Sequence, residues 1–296
     1  MRCQKIFLIL FAFLFIATEV NAQLKKRIAV ARFEDRTGSG YRSLGEGLAD
    51  MLVTALVKTG KYTVLERQEM ERILKEQQFG QSFMVTPQTA PKVGQILGVE
   101  LLVIGSVSEF GTKESSIGGG FSVFGAGIKT KTSRAVVDIR LVNTTTGEII
   151  ASESKEGSES STGIAFRYED IDFSKLNTWD DTDIGKAARQ AIDGCVKLIA
   201  DNMEKIPWSG KIIKINSDGT ILMKPGSDGN VKEGMEFVVY RMGEEIIDPD
   251  TGLPLGAEET KIGKIKVTEI TLNGKAAKAK IIEGTGFKEK DIVREK

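Results

Sequence analysis

The chain contains no histidine. Serine–histidine–aspartate and cysteine–histidine catalysis, histidine metal sites and the usual proton shuttle near neutral pH are thereby excluded. Cysteine is almost as scarce, with Cys3 and Cys195 alone. Cys3 falls in a segment expected to be removed, so no intramolecular disulfide is expected in the mature protein. Net charge is also lacking, since 41 Lys+Arg balance 41 Asp+Glu. No global field draws the chain to nucleic acid, and no nucleic-acid partner is expected. The long apolar run at 6–17 is too short to span a bilayer well. Arg2 and Lys5 precede it and Val20-Asn21-Ala22 follows, the layout of a signal peptide over 1–22. The mature chain is expected to be exported and to begin at Gln23. With no cysteine just after the run, no lipid-anchored N-terminus is expected.

What is present is alternation. Residues 27–33 read as a strand, and a polar loop follows over 34–42. Ser43 is placed to cap a helix, with Glu46 three residues on to complete a capping box. Leu44, Leu48, Met51, Leu52, Ala55 and Leu56 then recur at helical spacing until Gly60. A second strand at 62–65 precedes a second helix at 68–78, and Thr86-Pro87 opens a third that ends at Gly98. Leu101-Leu102-Val103-Ile104 has the pattern of a buried strand. Further on, Val137, Ile139 and Leu141 alternate with Asp138 and Arg140, a strand with one wet face. A polar, glycine-rich arm from Ser106 to Ser133 joins the two. Excursions of that length without a helix are usually functional or disordered.

Thr144-Thr145-Thr146-Gly147 is a tight turn, and 148–151 pairs back as a hairpin strand. A second polar arm covers Ser152 to Asp172. The helix at 183–203 closes the domain, with Cys195 beside its apolar stripe as a small core residue. Beyond Pro207-Trp208-Ser209-Gly210, short strands alternate with glycine turns, the signature of a small β-barrel. The expected fold class is α/β, with a helix-covered sheet over 23–206 and an SH3-like β-barrel module over 207–296.

Chemistry-bearing patterns are weak. Gly38-x-Gly40 lies between a strand and a helix, and Glu66 ends the next strand, the outline of a dinucleotide fingerprint. Ser43 stands where a third glycine belongs, so the loop is read as a sharp turn. Asp248-Pro249-Asp250-Thr251-Gly252 has a faint calcium-loop outline and is also read as a turn. Glu69, Glu71 and Glu76 interleave with Arg67, Arg72 and Lys75 as a solvated helix face. No carboxylate pair stands at a spacing that implies hydrolysis. A non-enzyme is expected, with no cofactor and no metal.

With the strands and arms placed, an ordered set of segments over about 27–205 resembles the CsgG family, the curli-secretion channels. They are Ile28-Ala29-Val30-Ala31-Arg32-Phe33 with Asp35 and Thr37-Gly38, then Met51-Leu52-Val53-Thr54-Ala55-Leu56, then Val64-Leu65-Glu66-Arg67. Leu97-Gly98-Val99-Glu100 leads on to Ile104-Gly105-Ser106-Val107, and Val142-Asn143-Thr144-Thr145-Thr146-Gly147-Glu148-Ile149 completes the set. The resemblance implies an α/β periplasmic domain with two long β-hairpin arms that forms a homo-oligomeric ring. It implies outer-membrane contact and export of unfolded protein subunits by diffusion. The arms at Ser106–Ser133 and Ser152–Asp172 occupy the hairpin positions. Tyr41 is the aromatic of the loop that builds the family's channel constriction, and is the carried candidate for that role. The Asn-Phe pair of the curli channels is absent. The C-terminal module resembles that of flagellar assembly protein T, through Gly234-Met235-Glu236-Phe237, Asp248-Pro249-Asp250-Thr251-Gly252 and Leu255-Gly256. That likeness implies a docking or peptidoglycan-proximal role rather than chemistry.

A membrane-barrel strand needs about 9–11 residues with an apolar outward face. Neither face of the second arm offers one: the residues are Ser, Glu, Lys, Thr, Gly and Ala. The first arm is punctuated by Glu109, Lys113, Glu114, Lys129 and Lys131. Its apolar residues cluster at the tip, at Ile117, Phe121, Val123, Phe124 and Ile128, a membrane- or partner-contact candidate. Two readings stand open: a secretion channel with an unusual or short barrel, and a soluble periplasmic adaptor without one. The double substitution Phe121→Asp/Phe124→Asp is expected to weaken membrane association while the domain stays folded. Cell fractionation checks it, and unchanged fractionation removes the membrane-touching tip.

Overall fold

The computed structural model describes residues 23–76, 89–117, 128–162, 181–247, 249 and 254–295. The expected signal peptide and the calcium-like turn apart from Pro249 lie outside these residues. The first strand, β1 (Lys26–Val30), becomes buried from Ile28 onward, which suits a strand covered by helices on both faces. β2 (Glu34–Asp35), α1 (Leu44–Lys58), β3 (Tyr62–Leu65), α2 (Arg67–Glu76) and α3 (Ala90–Leu97) follow. β1 then pairs in parallel with both β3 and β4 (Leu101–Ile117). β5 (Ile128–Asn143) and β6 (Ile149–Thr162) continue antiparallel, so the order is β3-β1-β4-β5-β6, with β2 beside β4.

Period-two alternation sorts the sheet into two faces. Ile28, Val30, Leu101, Val103, Val137, Ile139 and Leu141 pack with α1 and with α4 (Asp183–Met203). Ala29, Leu102 and Val142 turn the other way, onto Met70, Val93 and Leu97 of α2 and α3. Those two helices are too short to reach across β5 and β6, so the second face opens to solvent there. Val136 and Asp138 are half-buried on it, and Arg140, Ser152, Ser154 and Glu156 are exposed.

Two expectations are corrected. Ser43 does not cap α1 with its side chain: it sits at φ 56°, ψ 25°, in the left-handed region. A side-chain cap needs extended backbone at that position. Glu46 has also been taken away from any capping box, by Arg32 at 3.1 Å and Arg67 at 4.0 Å. By contrast Thr182 is extended, and its hydroxyl accepts from the Gly185 N–H at 3.1 Å to start α4.

The second arm is not a stem separate from the domain over 152–162. Those residues belong to β6, which pairs with β5 as far as Thr162↔Thr130. One face of β6 lies under α4. A Cβ at Gly157 would run into the Ala187 carbonyl, so only glycine lets the helix settle there. Lys155 lays its aliphatic stem over Gly194, 3.3 Å from where a Cβ would be. Ser161 donates to Asp183 at 2.6 Å. The rest of that arm lies outside the described residues.

The C-terminal expectation of a small barrel holds. β7 (Ser209–Ile215), β8 (Ile221–Lys224), β9 (Glu236–Ile247), β10 (Pro254–Thr271), β11 (Ala276–Gly284) and β12 (Ile292–Arg294) close in the order β10-β11-β8-β7-β12-β9. Trp208, buried and stacked on Phe237 at 5.1 Å, anchors a core with Ile212, Met223, Val239 and Ile265. Leu24 inserts into the same core, and the Lys25 N–H donates to the Gly229 carbonyl at 3.0 Å. The start of the described chain is thus tied to the end of the fold.

Gly157→Val is expected to destabilise the protein by about 2–3 kcal/mol through overpacking against α4. Gly111→Ala, where a Cβ meets nothing within 4 Å, should stay within about 0.5 kcal/mol of wild type. Urea unfolding of the two variants checks the contrast.

Candidate functional site on the hairpin sheet

β4 and β5 stay paired from Leu101↔Asn143 to Ile117↔Ile128, interrupted by one bulge between Val107 and Glu109. Bulges bend and re-aim a strand. Past this one, Phe110 lies on the core face and Glu109 on the open face. There Arg134 of β5 bridges its two neighbours. It meets Glu109 of β4 at 2.8 Å and grips Glu156 of β6 through two hydrogen bonds of 2.7 and 2.9 Å. The bond from Arg134 holds the Glu156 carboxyl below the usual carboxylate range, and Glu156 raises Arg134 in turn. Ser154 donates to Asp138 at 2.5 Å and Thr132 pairs with Ser160 at 3.2 Å on this face, while Thr112 meets the buried Ser133 at 2.8 Å on the face of Phe110. Lys131 meets Glu114 at 2.9 Å further along that same face as Phe110. Solvent-exposed ion pairs add little stability, so the Arg134 bridge sets the character of the open face more than its stability.

At the root of this face is a hollow of about 350 Å³. Glu34 and Arg36, joined at 2.6 Å, face Asp138, Arg140 and Glu153 across it. Both signs of charge line it, which suits a protein surface of mixed charge rather than one small ion.

Tyr41 sits close by. Its ring stands edge-on to Phe110, at 5.5 Å between centroids and 85° between planes, and packs on the main core. The loop carrying it is therefore fastened to the hairpin root. Of the apolar tip, Ile117 and Ile128 form the last described rung of the β4–β5 ladder. Phe121, Val123 and Phe124 lie outside the described residues.

Other candidates resolve into structure. Asp35 accepts from the Thr37 N–H at 2.9 Å and from its hydroxyl at 2.7 Å, while the Ser39 N–H donates to the Thr37 oxygen. The Gly38–Gly40 loop is thus a self-bonded turn, with both glycines at positive φ. Cys195 is fully buried in the α4 stripe, and burial pushes its thiol up to about 12 against a smaller opposing effect of Lys155. Among the described residues no group of three Asp, Glu or Cys side chains is placed to hold a metal ion. No described helix is long and apolar enough to cross a membrane.

Sequence reasoning missed the seam between sheet and barrel. Glu100, 2% exposed, accepts from the Arg27 N–H at 2.7 Å and from the Ser209 N–H and hydroxyl at 3.2 and 3.0 Å. Beside it Arg27, Lys211 and Lys290 line a cavity of about 390 Å³. These residues are scattered over the chain, and only the tertiary fold brings them together.

Comparison with known proteins now places the fold. The family model described as curli production assembly/transport component CsgG matches residues 12–217. The chain belongs to the CsgG family. The match takes in the whole sheet domain and β7, and leaves most of the barrel outside it. No curated protein gives a significant match to this CsgG-family chain. Among solved structures it is similar to the hypothetical protein CT253 from Chlamydia trachomatis, at 14% identity over 62% of this chain and 97% of that one, TM-score 0.37. It is also similar to the LpoB C-terminal domain from Escherichia coli, at 18% identity over 46% and 84%, TM-score 0.33. A PelC dodecamer from Paraburkholderia phytofirmans matches at 12% identity over 60% and 87%, TM-score 0.30.

The Cys195 thiol should resist maleimide in the native protein and react fully in urea. Its folded pKa lies above the ordinary value of 9.0, so it adds no pH dependence well below pH 9. As pH rises past 9 the unfolded thiol ionises and the folded one does not, and stability should fall. In Cys195→Ala that part of the alkaline decline should vanish, as read by urea titration between pH 8 and pH 11.

Proposed function

We propose that this CsgG-family chain is a non-enzymatic component of a curli-type assembly or transport complex in the cell envelope. In this reading the chain is exported through a cleaved signal peptide and works at the periplasmic face of the outer membrane. Copies form a homo-oligomeric ring through which unfolded subunits pass. The observation that carries the reading is the family match over residues 12–217. The long β4–β5 ladder, with its apolar tip residues, supplies the element that would meet the membrane. Tyr41, fastened at the root of that ladder, is the candidate for a constriction. In this reading the C-terminal barrel, by its resemblance to that of flagellar assembly protein T, takes a docking or peptidoglycan-proximal role.

A second reading is supported by the open face of the sheet. Glu109, Arg134, Glu156, Asp138 and Arg140 make it charged across three strands. A Lys or Arg facing lipid at the midplane costs about 2–4 kcal/mol. In that reading the protein is a soluble periplasmic adaptor that keeps the family domain and lacks a spanning barrel.

The channel reading expects a ring in detergent-extracted outer membranes by negative-stain imaging, and large steady conductance in planar bilayers. Recovery wholly in the osmotic-shock fraction, with no conductance, overturns it in favour of the adaptor.

A further inference from the structure

The seam cavity holds an excess of positive charge that the rest of the protein leaves unanswered. Lys211 of β7 lies directly opposite Lys224 of β8 in the barrel register. Like charges directly opposite on paired strands are destabilising. Arg27 from β1 comes in beside them. A Cβ built on Gly98 would lie 3.4 Å from an Arg27 guanidinium nitrogen and 3.7 Å from the Lys224 ammonium, so the two cations converge over that glycine. Gly98 lines the cavity at φ +66°, where a side chain would be strained. Lys290, from the turn before β12, lines the cavity with Arg27 and Lys211, while Lys224 approaches it over Gly98.

Counter-charge is short. Glu100 faces the group, but its oxygens are already shared among Arg27 and Ser209. Asp291, next to Lys290, is turned into the barrel and gripped by Arg241 at 2.8 and 2.9 Å. The C-terminal end of α3 adds about half an elementary negative charge at most. Among the described residues Lys211, Lys224 and Lys290 have no hydrogen-bond or ion-pair partner from their side chains. The Arg27 Nε is buried with no hydrogen-bond partner either. Burial first, then Lys224, Arg27 and Lys290, lowers the Lys211 pKa, and burial and then Arg27 lower that of Lys224. Both are the marks of ammonium groups held where charge is disfavoured.

The cavity, at about 390 Å³, is within the usual range for small-molecule sites. Val99, Met242, Ala257 and Ile292 give its lining an apolar part. We propose that this seam is a binding site for a phosphate monoester, whose dianionic head sits among Arg27, Lys211, Lys224 and Lys290 while its organic body lies on the apolar part of the lining. Lysines act on phosphate as compact point charges, and Arg27 adds directed N–H donors. Because the cations come from both the sheet domain and the barrel, the ligand also fastens one to the other. The inference is independent of whether the protein forms a channel.

The test is thermal unfolding of the purified full chain with inorganic phosphate, against sodium chloride at matched ionic strength. Wild type should show a saturable rise in Tm that chloride does not reproduce. Lys224→Met should have a higher Tm than wild type without phosphate, because the repulsion is gone, and should bind phosphate about tenfold or more weakly. Lys290→Gln, at an exposed position in the cavity lining, should weaken phosphate binding without needing any change in the barrel. Sedimentation with vesicles of phosphatidic acid, but not phosphatidylcholine, and its loss in Lys224→Met, would assign the phosphate to a lipid head. A phosphate response without sedimentation assigns it to a soluble ligand. No phosphate-specific shift in wild type, or the same shift in both variants, overturns the proposal.

Discussion

The buried carboxylate of Glu100 is the constraint on which the arrangement of the two halves depends. It stands just before β4, and its oxygens take N–H groups from β1 and β7 together with the Ser209 hydroxyl. Its own backbone bonds to Arg27 and Thr144, which ties in the end of β5. A charge so buried is tolerable only when each lone pair finds a donor. Breaking such a set by removing one partner costs on the order of 3–5 kcal/mol. The donors come from the sheet and from the barrel, so the carboxylate is satisfied only when both are folded and in register. Leu24, seated in the barrel core, adds a second tie across the same seam.

That tie explains where the charges around it come from. Arg27 is drawn into the seam to answer Glu100, with its guanidinium 3.5 Å from the carboxylate. Once there it stands next to the Lys211–Lys224 rung, which has no acidic neighbour of its own. Specific docking of barrel on sheet has therefore been achieved with a surplus of cations at the joint.

Much of the scaffold was legible from periodicity. β1, α1, β3 and α4 and the barrel strands announced themselves through apolar spacing and glycine turns. β6 did not, because its buried face carries almost no large apolar side chain: Gly157 and the stem of Lys155 fit under α4 by being small or slender. Its alternating Ser and Glu therefore looked like a loop or arm. The Ser43 capping pattern misled because Arg32 and Arg67, remote in sequence from each other, claim Glu46. The seam was invisible for a related reason. Glu100 is one acid among many in the sequence, and the opposition of Lys211 to Lys224 exists only once the β7–β8 register is set. The polar ladder on the open face of the sheet was half visible, since its Ser, Glu and Thr residues were plain but their pairing across strands was not.

The two arm positions of the family therefore differ physically in this chain. Freeing β6 would strip α4 of its cover and expose Ile184, Ala187, Ala188 and Ala191, all buried in the core. A large aliphatic side chain alone is worth about 1.5–3 kcal/mol when buried. The Ser161–Asp183 bond and the Gly157 contact would be lost with it. The outer half of the β4–β5 ladder carries no such penalty. From Gly111 to Ser115 its β4 strand is half-buried or exposed, and a Cβ built on Gly111 would meet nothing within 4 Å. Any rearrangement that carried this protein to a membrane or a partner would begin there, at the first arm, while β6 stayed locked beneath α4. The bulge after Val107 re-aims the strand: Phe110 just beyond it still packs in the core, and from Gly111 outward the β4 strand is half-buried or exposed.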